Sequence, residues 1–224
     1  MAVLTPAVGA VRPVAADDDV RRAARERLAE LGARATTSAL FVVLAVRIGT
    51  EFLKTGHLTG LLLLTSEALV VALTVFRRPA VVVDRALGTR IVAAASILGI
   101  PFIRPTGDPL APDAVTAVVS AIGLLVIIIG KVTLGRSFGL MPANRGIVCR
   151  GIYRIVRHPI YAGYLVTHAA FVVAHPTAWN AALVIVSDLA LLIRATYEER
   201  TLALDDEYAA YLTRVRWRVA PGVF

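Results

Sequence analysis

The chain has 224 residues, 57% of them hydrophobic, with a mean hydropathy of +0.71 and a formal net charge of +8. A soluble domain carries about 45–50% apolar residues, so the excess points to lipid as the solvent. A single cysteine, Cys149, excludes a disulfide framework and a cysteine-rich metal site.

In chain order, residues 1–16 read as disordered, and nothing there resembles a charged n-region followed by an apolar h-region, so no cleavable signal peptide is expected. Asp17, Asp18 and Asp19 precede VRRAARERLAELGAR, which reads as an N-capped surface helix with Gly32 near its end. Six apolar stretches follow at 36–54, 58–76, 86–103, 114–134, 160–177 and 179–196. Each is close to the ~20 residues that a helix needs to span hydrocarbon. The third is broken at its far end by Gly99-Ile100-Pro101, and Arg90 must snorkel at its near end. The expected architecture is all-α and polytopic, with about six transmembrane helices. It divides into a tail and surface helix (1–35), N-terminal membrane helices (36–134) and a C-terminal core (135–224).

The cations give the orientation. They gather in the N-terminal tail, at 77–90, at 135–158 and in the tail 194–224, whereas the opposite loops hold only Lys54 and Arg104. By the positive-inside rule both termini are cytoplasmic. The basic balance then reads as topology and attraction to anionic headgroups, which leaves little for nucleic acid.

Charges inside hydrocarbon are costly and need partners. Arg47 and Glu51 are four residues apart on one helix face and can pair. Glu67 is expected to meet Arg47 across a helix interface. His168 and Asp188 are expected to face each other across the short turn at 175–179. As glue these groups hold helices together; as a proton path they would mark a transporter. The histidines (57, 158, 168 and 175) lack metal-ligand spacing, and no dinucleotide, phosphate-loop or zinc-protease sequence occurs, so no metal is expected.

The remaining polar matter lies at the cytoplasmic ends of the last two stretches. LGRSFGLMPANRGIVCRGIY is punctuated by glycine and proline and reads as loop, with backbone N–H groups available to a polar ligand. In RHPIYAG, Pro159 falls at the first turn of the next helix, where its missing N–H costs nothing, and Gly163 allows close approach of a ligand or a helix. One helical hairpin later, Arg194 and Glu198 share a face, followed by Glu199.

G-x-Y, then R-H-P-x-Y-x-G, then R-x-x-x-E-E, then paired tyrosines and a closing R-x-x-x-x-P resemble the isoprenylcysteine carboxyl methyltransferase and phospholipid methyltransferase superfamily of integral membrane enzymes. The resemblance covers residues 130–221. It implies S-adenosylmethionine as methyl donor, held in a cytosolic pocket of the C-terminal half, and a lipophilic acceptor entering from the bilayer. By position, Arg145, Gly146, Ile147 and Val148 match the strip that frames the donor with main-chain bonds. Tyr153 matches the tyrosine of G-x-Y, and His158, Pro159, Ile160 and Tyr161 match the H-P-x-Y contact. Glu198 matches the carboxylate on the donor's polar groups, and Arg194 the arginine facing the acceptor. Glu199 is the candidate base, needed if the acceptor is an amine. The chain departs from the pattern at Leu204-Asp205-Asp206, where a Phe-Gly is usual. A carboxylate, an amine and a thiol all stay open as acceptor. The rival readings are a sterol-reductase-like enzyme using NADPH and a small proton-coupled transporter.

Overall fold

The computed structural model describes residues 14–55, 58–84 and 86–223. Residues 1–13, the side chain of Glu51 and His57 lie outside the described residues, whereas 14–16, expected to be disordered, are helical, and Asp17–Asp19, expected to cap the helix, fall inside it, because the helix starts at Val14.

Among the described residues the chain forms seven α-helices: α1 (Val14–Thr55), α2 (Leu58–Phe76), α3 (Leu87–Leu98), α4 (Asp113–Leu134), α5 (Pro159–Ala174), α6 (Ala178–Leu202) and α7 (Asp206–Arg214). Each of the six apolar stretches is helical, as expected. Glu30–Thr50, Asp113–Ser137 and Ala178–Leu202 are long and apolar enough to cross a membrane, while the helices at Leu61–Phe76, Leu87–Phe102 and Pro159–Ala174 are apolar but shorter. The break at Gly99-Ile100-Pro101 is real: α3 stops at Leu98 and a 3-10 turn, Ile100–Phe102, follows. The one departure from all-α structure is a two-residue antiparallel pairing, with β1 (Val82–Val83) opposite β2 (Ala143–Asn144). It ties the α2–α3 connection to the polar loop after α4.

Gly32 does not end the first helix, which is a correction. A lone glycine costs about 1 kcal/mol in a helix interior, and its neighbours here are strong helix formers. The surface helix and the first apolar stretch therefore fuse into one rod of 42 residues, roughly 60 Å long. Its lower half is anchored through Glu30, whose carboxylate accepts from Arg34 Nε at 3.1 Å and from Arg77 Nη2 at 2.8 Å.

Helix α4 sits between α2 and α5; α1 packs on α2, and α3 on α6. The core where they meet includes Val70, Leu124, Ile127, Ile160, Tyr161, Leu191 and Ala195. The α4–α5 contact depends on two glycines. A Cβ on Gly163 would stand 2.6 Å from the Gly123 carbonyl oxygen and 2.6 Å from Ile127 Cγ1. Between membrane helices such small residues let backbones approach and gain dispersion contact. Gly163 thus admits a helix. Gly163→Val should lower stability by about 1–3 kcal/mol through overpacking, read as a lower thermal midpoint of detergent-purified protein. Gly32→Ala, with nothing within 4 Å of the new methyl, should hold or raise it.

Glu67 accepts from the Ser66 hydroxyl at 3.4 Å and lies in the field of Lys131 rather than meeting Arg47, which corrects the sequence expectation. Lys131 is fully buried and donates to the Ser66 hydroxyl at 2.8 Å and to the Ser66 carbonyl at 3.0 Å. His168 Nδ1 and Asp188 Oδ1 do face each other, 2.6 Å apart. At the far end, Asn180 lashes the α5–α6 turn: its amide donates to the Arg104 carbonyl at 2.7 Å and to the His175 carbonyl at 2.9 Å.

Candidate active site

The loop after α4, the start of α5, the end of α6 and the segment after α7 all meet at one end of the bundle. Pro159 opens α5 at its first position, as expected, so His158 stands just outside the helix with an extended φ of −127°. From there its ring stacks on Tyr161, with centroids 5.1 Å apart and planes at 11°. Arg194, Glu198 and Glu199 come down the last turns of α6 onto the same region.

The adjacent acids divide the work. Glu198 Oε2 accepts from the Tyr161 hydroxyl at 2.6 Å. Glu199 is met by an imidazole and two guanidinium groups: His158 Nε2 at 3.1 Å on one oxygen, with Arg157 Nη1 and Arg218 Nε at 3.0 Å each on the other. This fastens the C-terminal segment to the start of α5. The main chain reinforces it, because the N–H of Arg157 donates to the Trp217 carbonyl and that of His158 to the Arg218 carbonyl, at 2.9 and 2.7 Å. A carboxylate with both oxygens engaged by donors is poorly disposed to take a proton, and Glu199 serves here as a clasp.

Arg194 is buried, with its guanidinium 5.5 Å from the Tyr161 ring centroid. Its bonds are long, 3.4 Å to the Gly139 carbonyl and 3.5 Å to Ser96 Oγ, and its Nε has no partner. Tyr161 therefore already has its ring against His158 and Arg194, and offers the site its hydroxyl bond to Glu198 more than a free π-face. Arg145 also points inward, over Gly139, where a Cβ would come within 2.5 Å of its Nη1. Its Nε too is buried without a partner. Burial, then the charge of Arg77, pulls its pKa down to about 10, which leaves it a cation at neutral pH. Arg145 also senses the charge of Glu198.

The other residues singled out in the sequence lie at varying distance from this chemistry. Tyr153 is buried, its carbonyl accepts from the Tyr211 hydroxyl at 2.6 Å, and burial holds both phenols protonated. Ile160 belongs to the core against α4. Gly146 has φ +100° and gives its N–H to Asn144 Oδ1 at 2.9 Å, so that donor is used within the loop. Ile147 and Val148 line a cleft together with Arg78, Arg136 and Arg150.

Sequence reasoning missed Arg157 and Arg218 as partners of Glu199, although both stand within the quoted motifs. It also missed how the acids at 205–206 are used: Asp205 caps α7 by accepting from the Glu207 N–H at 3.0 Å and accepts from Asn144 Nδ2 at 2.9 Å. Among the described residues no group of His, Cys, Asp and Glu is arranged to hold a metal ion.

Residues 112–208 match the phospholipid methyltransferase family. Protein-S-isoprenylcysteine O-methyltransferase A of Arabidopsis thaliana is 42% identical over 60 residues, a match covering 21% of this chain and 30% of that relative. The chain thus aligns with less than a third of the curated relative's length.

Proposed function

We propose, on the premise that the C-terminal half of this chain is of the isoprenylcysteine carboxyl and phospholipid methyltransferase superfamily, that the protein methylates the carboxylate of a lipophilic acceptor at the cytoplasmic face of a membrane. The observation that carries this reading is Arg194: a buried guanidinium with long bonds and an unpartnered Nε, one helical turn from the Glu198–Tyr161 pair. A bidentate carboxylate is the natural complement of such a fork.

S-adenosylmethionine would supply the methyl group as a sulfonium electrophile. Its amino-acid end carries one carboxylate and one ammonium, and the chain offers one of each complement close by in Arg145 and Glu198. The unpartnered Arg145 Nε supports that fit. Holding both reactants in line and excluding water accounts for most of what such a displacement requires from a protein.

The choice of carboxylate over amine rests on proton accounting. An amine must lose a proton, and the nearby acids are committed, Glu199 to His158, Arg157 and Arg218 and Glu198 to Tyr161. An ionised carboxylate needs no base. The placing of Glu67 in the field of Lys131 and the pairing of His168 with Asp188 favour structural glue over a transport path.

The test is incorporation of label from methyl-labelled S-adenosylmethionine into lipophilic carboxylates, amines and thiols by detergent-purified protein, with binding of S-adenosylhomocysteine compared with that of NADPH. Carboxylate esters and tight S-adenosylhomocysteine binding are expected. Labelled amines would overturn the acceptor class, and NADPH binding alone would overturn the reaction. Arg194→Lys should raise KM for the carboxylate about tenfold while donor affinity stays within a few fold, since a point charge replaces a two-pronged donor.

A further inference from the structure

The loop that turns Arg145 inward also lines a cleft of about 590 Å³. Three guanidinium groups line it: Arg78 after α2, Arg136 just beyond α4, and Arg150 at the loop's end. Among the described residues no carboxylate lines it. None of His158, Tyr161, Arg194 and Glu198 lines it, whereas Ile147 and Val148 of the strip matched to the donor's frame do, so it adjoins the site above without sharing those four side chains. Its charge also argues against the methyl donor as occupant. That molecule carries a sulfonium and an ammonium against one carboxylate, and three uncompensated cations repel it.

The surroundings say what kind of anion would arrive. Along α4 the exposed large side chains are Val115, Val118, Ile122, Leu125, Ile129 and Val132. At spacings of three and four they form one continuous apolar stripe on a membrane-spanning helix, and such a face lies against acyl chains. The stripe ends beside Leu134, which lines the cleft, one turn short of Arg136. A lipid lying on α4 therefore brings its headgroup to the three arginines, and guanidinium forks match phosphate oxygens in geometry as well as in charge.

We propose that this cleft binds the phosphate of an anionic phospholipid whose acyl chains lie along the exposed face of α4. The lipid is a resident ligand of the polar loop, bridging the ends of α2 and α4, and is not the methyl acceptor. The inference does not depend on the reaction assigned above.

Native mass spectrometry of the detergent-purified full chain tests it with three probes: dioctanoyl phosphatidylglycerol, dioctanoyl phosphatidylcholine and inorganic phosphate. One phosphatidylglycerol should bind at a concentration at least tenfold lower than phosphatidylcholine requires, and inorganic phosphate should fail to displace it at equal concentration. Arg150 is exposed, so Arg150→Gln should fold normally and weaken phosphatidylglycerol binding at least threefold, while Arg150→Lys keeps most of it. Arg78→Gln combined with Arg150→Gln should abolish the preference; if that variant does not fold, Arg150→Gln decides alone. Equal binding of the two lipids, no lipid binding, or no effect of Arg150→Gln would each overturn the proposal. Displacement by inorganic phosphate would make the cleft a site for a soluble anion, and would overturn it as well.

Discussion

Glu198→Gln is expected to weaken S-adenosylhomocysteine binding by about 10–100-fold, the usual cost of losing a charge-assisted hydrogen bond of about 1.5–3 kcal/mol. The amide oxygen of glutamine can still accept from the Tyr161 hydroxyl, now 2.6 Å from the carboxylate, so the local fold should persist while the negative charge is lost. Tyr161→Phe makes the opposite change, keeping the charge and removing the bond that aims it, and should cost about tenfold or less. Isothermal titration of the two variants against wild type, with thermal midpoints as a check on folding, separates charge from positioning. Equal affinity in Glu198→Gln and wild type would remove Glu198 from the donor site.

Glu199→Ala should be the most damaging single change in the C-terminal half. It leaves His158 and Arg157 largely buried around a vanished counter-charge; Arg218 is about a third exposed and is partly relieved by water. Removing one member of a buried ion pair costs about 3–5 kcal/mol. In a chain of this size that corresponds to a fall of roughly 10 °C in thermal midpoint. Glu199→Gln keeps the shape and part of the bonding and should lie between. A general base would behave differently, with Glu199→Gln keeping the wild-type midpoint and losing only turnover. Measuring both quantities on the same preparations tells a clasp from a base.

The helices were the legible part. Apolar stretches of near-spanning length, the proline at the start of α5 and the Gly-Ile-Pro break after α3 all act through local backbone chemistry, and each appears where the sequence puts it. Gly32 misled because a helix stop is a tendency of about 1 kcal/mol, and good formers on both sides outweigh it. Side-chain pairing was less legible. Glu198 and Glu199 are neighbours about 100° apart around α6, so the sequence alone does not say which of them reaches His158. The expectation had His158 and Glu198 converging; in the structure His158 takes Glu199, and Glu198 reaches the same region through Tyr161. Glu67 was expected at Arg47, and the packing of α2 on α4 brings it near Lys131 instead. Arg218 becomes visible as a partner only when the chain after α7 folds back on α5, a contact of long sequence separation that carries no local signal.

The Asn180 lashing limits how the hairpin can breathe. With α5 and α6 joined by a short turn and bound there to the Arg104 carbonyl, the hairpin behaves as a pair of tongs with a locked pivot, and its two polar tips stay in register. On the proposed function, admission and release of the methyl donor would then fall to the non-helical stretch that buttons down over Glu199. Such a flap is held by ion pairs, so its opening rate should climb with ionic strength and hardly respond to the stiffness of the helices beneath it.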